Sequence, residues 1–305
     1  VEKFLIHPAA SCLHYGQALF EGMKAYRQKA GSVGLFRPEF NIKRMQDGAD
    51  RLCLPPVPKE VFLTGLCELL KTEDRWVFND SDCSLYIRPT LIGTEGFLGV
   101  RPANEALFFI LLSPVTSYFS SQSKPLKIWV EDKALRAAPG GLGATKAGAN
   151  YASSLQAALK AKNEGYNQVL WLDVNKEYVD EVGTMNVFFV FKNEIVTPSL
   201  NGSILAGNTR DAVIKLLADR KTPVVERRLK LSEVLQAWEN KTLLEVFGTG
   251  TAAIISPIGE FYFRDKNYQV ANGKPGPIAT EMFETLSKIH RGETVDKFNW
   301  MFIIK

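Results

Sequence analysis

The stretch Arg136-Ala137-Ala138-Pro139-Gly140-Gly141-Leu142-Gly143-Ala144-Thr145-Lys146-Ala147-Gly148-Ala149-Asn150-Tyr151 sets one lysine in a loop of glycines and small residues. The glycines before Lys146 and Gly148 after it allow positive φ and a close approach of the main chain to a ligand. Tyr151, Leu155, Ala158 and Leu159 follow at helical spacing, which predicts an amphipathic helix with Lys146 at or just before its first turn. Small flanking residues near a helix start are the setting in which a lysine serves as a Schiff-base amine. Read alone, the segment is equally a surface lysine in a glycine-rich turn. It is not a phosphate loop of the Gly-x4-Gly-Lys-Ser/Thr type, because Thr145 precedes Lys146 and Ala147 follows it.

Outward from this loop, the second half alternates strands and helices. Strands are predicted at 168–174, 186–191, 194–198, 223–228, 242–248 and 252–258, with helices at 208–219 and 232–239 and Ser232 as the N-cap of the latter. Before the loop, Arg37-Pro38 opens a helix whose buried face is Ile42, Met45, Ala49 and Leu52, and Pro55-Pro56 stops it. Arg44 lies beside that face and is placed to reach an anion along the core edge. A second helix spans 58–71. The segment 84–93 alternates as a strand, with Tyr86 and Arg88 on one face. The apolar run Ala106 to Leu112 suits a strand covered on both sides. The polar, serine-rich stretch after Tyr118 marks a linker, giving an N-terminal α+β domain at 1–119, a linker at 120–126 and a C-terminal domain at 127–305.

Composition narrows the function classes. A chain of 305 residues, 46% hydrophobic and 23% charged, has room for two domains and a sizeable core. The net charge of +4 comes from interspersed charges without a basic tract, which argues against nucleic acid as the main partner. Cys12, Cys53, Cys67 and Cys83 show no C-x-x-C or zinc spacing and fit reduced thiols in a cytoplasm-like compartment. With three dispersed histidines, no metal site is expected. The longest apolar run is far short of the roughly 20 residues that span a bilayer, so no membrane partner is expected. The predicted compartment is the cytoplasm; an organelle is compatible with a segment preceding Val1.

Three further segments share one chemistry with Lys146. Asp180-Glu181-Val182-Gly183-Thr184-Met185-Asn186 puts a carboxylate at a tight strand entry, where it suits a pyridinium nitrogen. Ile204-Leu205-Ala206-Gly207-Asn208-Thr209-Arg210 is a turn into a helix, where N–H groups and the helix dipole favour phosphate. Gly248-Thr249-Gly250-Thr251-Ala252 is a second turn able to offer N–H and hydroxyl donors.

These blocks, with Leu13–Tyr26, Tyr86–Gly93 and Glu245–Ala252 in the same order, resemble the branched-chain amino acid aminotransferases, fold-type IV pyridoxal 5′-phosphate enzymes. The resemblance covers about His7 to Pro257 and implies an α/β with α+β fold: a smaller α+β N-terminal domain, a larger domain with a barrel-like β core, cofactor between them, and a homodimer. It implies Lys146 as Schiff-base lysine and proton shuttle, Glu181 on the pyridine nitrogen, Tyr151 on the ring hydroxyl and Leu205 on the ring face. Arg44, Asn208, Thr209 and Thr251 would hold the phosphate, with Thr184 and Gly207 beside the cofactor. Phe20, Tyr86 and Tyr118 would wall the side-chain pocket, Leu98 and Val100 would reach in from the partner subunit, Tyr15 and the Thr251-Ala252 backbone would bind the α-carboxylate, and Arg88 would meet the side-chain carboxylate of glutamate. The implied reaction exchanges the amino group of leucine, isoleucine or valine with 2-oxoglutarate.

The chain departs from the family at several points, and its tail from Lys297 to Lys305 resembles it only loosely. Ala253 and Ser256 stand where mammalian members carry a redox C-x-x-C, so thiol regulation is not expected, and Asn208-Thr209 replaces a more apolar pair. Alternative readings are a D-amino acid aminotransferase or aminodeoxychorismate lyase of the same fold, disfavoured by Tyr86-Ile87-Arg88-Pro89, and a non-enzymatic cofactor-binding protein, which would not need the substrate pocket.

Overall fold

In the computed structural model, residues 3–80, 82–116 and 124–304 are described. The chain divides into two compact units: 1–116 with 145–151 and 289–305, and 117–144 with 152–288.

The first unit begins with α1 (Ser11–His14), β1 (Ala18–Phe20), β2 (Met23–Arg27) and β3 (Val33–Phe36). It continues with α2 (Pro38–Arg51), α3 (Lys59–Thr72), β4 (Cys83–Gly93) and β5 (Ala106–Thr116). Pro38 starts α2, where a missing N–H is no loss. Ile42, Met45 and Ala49 of α2 pack with Phe62, Leu66 and Leu70 of α3 against Leu85, Ile87 and Leu91 of β4. This is the face expected from the 3.6-residue period. β4 is the hub of an antiparallel sheet, pairing with β1, β2 and β5. β5 is not covered on both sides as its apolar run suggested. Ala106, Phe108, Ile110 and Leu112 face the core, whereas Leu111 on the other face is 40% exposed. An alternating strand can be apolar on both faces while only one is buried, and sequence does not reveal what covers the second.

The second unit carries β6 (Leu126–Glu131), α4 (Gly148–Asn163, which starts in the first unit), β7 (Gln168–Leu172), β8 (Val179–Val182), β9 (Asn186–Phe191) and β10 (Ile195–Pro198). Then follow α5 (Asn208–Asp219), β11 (Val224–Arg227), α6 (Leu231–Glu239), β12 (Leu243–Gly250), β13 (Ile254–Phe263), β14 (Lys266–Gln269) and α7 (Pro277–His290). Its sheet runs β11-β10-β9-β12-β13-β6-β7-β8, with β14 on β13. Val182 and Met185 exchange N–H···O bonds of 3.0 and 2.9 Å across Gly183-Thr184. That tight turn joins the last strand of the order to the third, so the sheet curls into the barrel-like core. Gly183 sits at φ 58°, the left-handed conformation a two-residue hairpin asks of its first central residue.

Later segments depart from the expected continuous C-terminal domain. Thr145–Tyr151 and residues from Ile289 onward belong to the first unit, and β15 (Met301–Ile304) pairs antiparallel with β3. Backbone pairing across so long a separation leaves no local mark in the sequence. α4 also differs from its expected stripe: Ala157 and Ala161 are buried, while Leu155 and Leu159 are 66% and 59% exposed. Small side chains win the inner face because they let the helix lie close to Val169 and Trp171. α6 begins one residue before Ser232, with Lys230 as its N-cap and no side-chain cap. The expected turn at Gly248–Thr251 is shifted, since β12 extends to Gly250, which pairs with Ile254. Tyr118 and most of the expected linker lie outside the described residues.

Candidate active site

Lys146 stands just before α4 and is fixed by main-chain pairing to β1. Leu19 bridges Ala147, and the Phe20 N–H donates to the Lys146 carbonyl at 3.2 Å. Its Nζ donates to Tyr151 Oη at 2.8 Å, one helical turn further on. The Phe20 ring lies 4.8 Å from the Tyr151 ring and 4.9 Å from Lys146 Nζ. On the same ring rests the Arg88 guanidinium at 4.6 Å, and Arg88 also donates to Tyr86 Oη at 2.9 Å. One aromatic ring thus serves two cations, each drawn to its quadrupole. Gly22 lets the Tyr86 hydroxyl come close, since a Cβ there would lie 2.4 Å from Tyr86 Oη and displace it. The expected pairing of Tyr86 and Arg88 on one face is therefore met, and their strand alternation is the reason.

Behind this cluster, Arg44 of α2 donates through Nε and Nη2 to the two oxygens of Glu21 at 2.7 and 2.8 Å. Asn41 adds a third bond at 2.7 Å. Burial acts to raise the Glu21 carboxyl, but Arg44, then Lys146 and Asn41, hold it below its usual range. Sequence reading missed Glu21 and Asn41. A buried acid between an aromatic and a glycine carries no periodic signal, although Arg44 on the core edge called for a partner.

The second set gathers around Glu181, which is 3% exposed. Its Oε1 accepts the Leu205 N–H at 2.8 Å and Asn186 Nδ2 at 3.4 Å. Its Oε2 lies 3.3 Å from Arg136 Nε. Asn186 Nδ2 donates in turn to the Leu205 carbonyl at 2.9 Å, so Leu205 is tied at both its N–H and its C=O. Arg136 reaches the carbonyls of Gly143 and Ser203. Arg136 and Asn186 lay inside quoted segments without an assigned role; they position the acid and the apolar residue that follow it.

Gly207 caps α5, leaving Asn208 and Thr209 in its first turn, where helix N–H groups have no intrahelical acceptor. A Cβ on Gly207 would lie 2.0 Å from Asn186 Oδ1, so the close approach of this turn needs glycine. Thr249 Oγ1 is buried and has no hydrogen-bond partner among the described residues, and Thr251 and Ala252 form the adjoining turn. A buried hydroxyl left unpaired costs about 1–3 kcal/mol, which a bound oxyanion would recover. Thr184 occupies the turn between β8 and β9. Among the described residues no three His, Cys, Asp or Glu side chains are grouped to hold a metal.

Other expected residues are more exposed. Tyr15 Oη donates to the Leu98 carbonyl. The Leu98 and Val100 side chains are 62% and 86% exposed. Each set has donor types that a phosphorylated pyridine aldehyde uses: an amine beside a hydroxyl in the first, and a buried carboxylate and a helix start with hydroxyls in the second.

Comparison with known proteins agrees in family. The amino-transferase class IV family matches residues 18–261. Branched-chain-amino-acid aminotransferase 2 of Bacillus subtilis (strain 168) is 48% identical over 294 residues, covering 96% of this chain and 81% of that protein. The branched-chain amino acid aminotransferase of Escherichia coli is similar in structure, with TM-score 0.81 and 30% identity over 99% of this chain and 94% of its own. A third branched-chain amino acid aminotransferase, from T.th. and complexed with N-(5′-phosphopyridoxyl)-L-glutamate, gives TM-score 0.83 at 26% identity, over 99% of this chain and 94% of its own.

Proposed function

The chain belongs to the amino-transferase class IV family, in its branched-chain amino acid aminotransferase group with the fold-type IV architecture, and from that membership we propose that it exchanges the amino group of L-leucine, L-isoleucine or L-valine with 2-oxoglutarate, using pyridoxal 5′-phosphate. The observation that carries this reading is the Lys146 amine held 2.8 Å from the Tyr151 hydroxyl on the Phe20 face. The adduct bound by the T.th. relative, a phosphopyridoxyl group joined to glutamate, supports both the cofactor and the glutamate side of the exchange.

Bound pyridoxal phosphate supplies an aldehyde for amines and a ring that draws electrons from the substrate Cα. The protein does the rest. With the cofactor bound, the Lys146 amine would act as general base for the substrate Cα proton and as the general acid that returns it. Tyr151 Oη holds that amine in line. Glu181 keeps a proton on the ring nitrogen, and Leu205, pinned at both ends, packs on the ring. The N–H groups of Asn208 and Thr209, with Gly207, Thr184, Thr251 and Arg44, bind the phosphate; Glu21 holds the Arg44 guanidinium in place for it. Phe20 and Tyr86 wall an apolar side-chain pocket, and Arg88 at its edge takes the distal carboxylate of glutamate. Tyr15 and the Thr251-Ala252 backbone bind the α-carboxylate. The same proposal includes a homodimer, in which Leu98 and Val100 enter the partner's pocket, and a cytoplasmic setting. Among the described residues no helix is long and apolar enough to cross a membrane.

An absorption spectrum of the protein in pyridoxal phosphate, before and after L-leucine, tests the reading. A Schiff-base band that converts to the pyridoxamine form on leucine, followed by glutamate release on 2-oxoglutarate, is the expected result. A band that ignores leucine and responds to D-alanine overturns the substrate assignment, and no band in excess cofactor overturns the whole.

A further inference from the structure

Asp180 immediately precedes Glu181 on β8, and on a regular strand two successive side chains point to opposite faces. Here they do not diverge. The register of β7 and β8 slips between Trp171 and Leu172: Trp171 faces Glu181 but Leu172 faces Val179, which leaves Asp180 as the extra residue of a β-bulge. A bulge of this kind re-aims a side chain. Its result is that two consecutive carboxylates meet one segment, 201–205. Glu181 takes the N–H of Leu205 at 2.8 Å, and Asp180 takes Ser203 Oγ at 2.8 Å and Asn201 Nδ2 at 3.3 Å.

The proton count at Ser203 is informative. Its hydroxyl has a single proton and two acceptors in reach, Asn201 Oδ1 at 2.7 Å and Asp180 Oδ2 at 2.8 Å. Asn201 Oδ1 also receives the Ser203 N–H at 3.0 Å, which fixes that amide as the acceptor end. The count closes when Asp180 Oδ2 carries the second proton: Asp180 donates to Ser203 Oγ, Ser203 donates to Asn201 Oδ1, and Asn201 Nδ2 donates to Asp180 Oδ1. That is a closed ring with every group satisfied. Asp180 is 4% exposed and Ser203 is fully buried, so both are shielded from bulk solvent. The charged groups acting on Asp180 are Arg136, which favours the anion, and Asp173, which opposes it. Burial is the largest influence and pushes the Asp180 carboxyl up.

We propose that Asp180 is a positioning residue that works as the neutral acid. By closing the ring with Ser203 and Asn201 it fixes the segment carrying Leu205, and with it the register of Leu205 on Glu181. Ser203 also offers its carbonyl to Arg136, the cation beside Glu181, so the same ring sets both neighbours of that carboxylate. This rests on the reading of Glu181 and Leu205 as cofactor contacts.

The test compares Asp180→Asn, which keeps one donor and one acceptor, with Asp180→Leu, which keeps the bulk and removes both. In the cofactor-loaded enzyme, Asp180→Asn is expected to match the wild type in visible circular dichroism, cofactor release and kcat, all within about twofold. Asp180→Leu is expected to release cofactor about tenfold faster, as loss of about one buried hydrogen-bond network contact predicts. It should also lose the visible dichroism and lower kcat, with KM for leucine within about twofold. Ser203→Ala, which leaves the acid in place, should repeat the Leu pattern and serves if Asp180→Leu does not fold. Infrared spectroscopy of the wild type at neutral pH should show a protonated carboxyl C=O band that Asp180→Asn removes. Asp180→Asn as damaging as Asp180→Leu, or no such band, overturns the neutral acid. Unchanged cofactor release and dichroism in Asp180→Leu and Ser203→Ala overturn the positioning role. A wild type that binds no pyridoxal phosphate fails the functional reading instead, and leaves the infrared result to judge Asp180 alone.

Discussion

Lys146 and Glu181 are both ionisable groups on short segments, but they are held in different ways. Lys146 is fixed by its backbone while its amine rests on a hydroxyl and an aromatic face. Glu181 is fixed at its carboxylate by a backbone N–H, an amide and a guanidinium, each anchored elsewhere. A ring contact has a broad minimum and lets the amine swing. Two hydrogen bonds to Oε1 with an ion pair on Oε2 do not. The difference suits the roles proposed for them, an amine that would leave one bond and move a proton against a carboxylate that would keep a proton where it is.

The largest effect that could break this contrast is the loss of the amine. Lys146→Ala should lower leucine-dependent glutamate formation by at least about 10²–10⁴-fold, the range of general acid–base catalysis, with little change in thermal stability. Turnover that survives in a clean preparation would remove Lys146 from the chemistry. Next in size, Glu181→Gln keeps shape and hydrogen bonding to Leu205 but loses the charge. We expect kcat to fall by about 10²–10³-fold, as for other fixed electrostatic partners, with KM for leucine nearly unchanged; a rise in KM alone would mean that Glu181 only supports the fold.

Gly22→Ala probes the looser set. The added Cβ would meet Tyr86 Oη at 2.4 Å, so the ring must shift and disturb Arg88. KM for leucine and 2-oxoglutarate should each rise about three- to tenfold, equivalent to roughly 1 kcal/mol. Unchanged KM values would show that Tyr86 does not line the pocket.

The last test, read in stability rather than turnover, concerns a buried group with none of the satisfaction Glu181 enjoys. His290 stacks on Tyr26 at 4.6 Å and meets the Phe36 edge at 4.5 Å, and neither ring nitrogen has a hydrogen-bond partner among the described residues. Burial, then Lys24 and Arg291, push it down to about 3. Its folded value is therefore below its unfolded one, and the unfolded chain binds the extra proton. Stability is fully present above about pH 6.5 and should decline by up to about 1.4 kcal/mol per pH unit as pH falls from there toward 3. Urea titrations of wild type and His290→Phe between pH 7 and 5 should diverge, the variant losing less. Parallel curves would place the acid sensitivity elsewhere.

Much of this was legible in the chain itself. The strand at 186–191 and the helix at 208–219 match in both bounds, because clear turn chemistry sits at their ends. The lysine loop and the capping glycine were readable for the same reason: conformational demands fall on the residue that meets them. What sequence hid are relations rather than conformations. The bulge at Asp180, the Glu21–Arg44 pair and the inward alanines of α4 each depend on a partner distant in sequence. The leucines of α4 misled because periodicity identifies an apolar stripe, not which stripe is covered.

The pairing of β15 with β3 has a consequence for how the protein is made. During synthesis β3 precedes its partner, and its outer edge waits for a strand 265 positions later, counted from Phe36 to Met301. At 5–20 residues per second that is roughly 13–53 s. Throughout that interval a row of N–H and C=O groups lies open to any other extended chain. The nascent protein is thus exposed to mispairing along β3 until β15 has been made, and a chaperone that shields the edge of Val33–Phe36 would act in that interval.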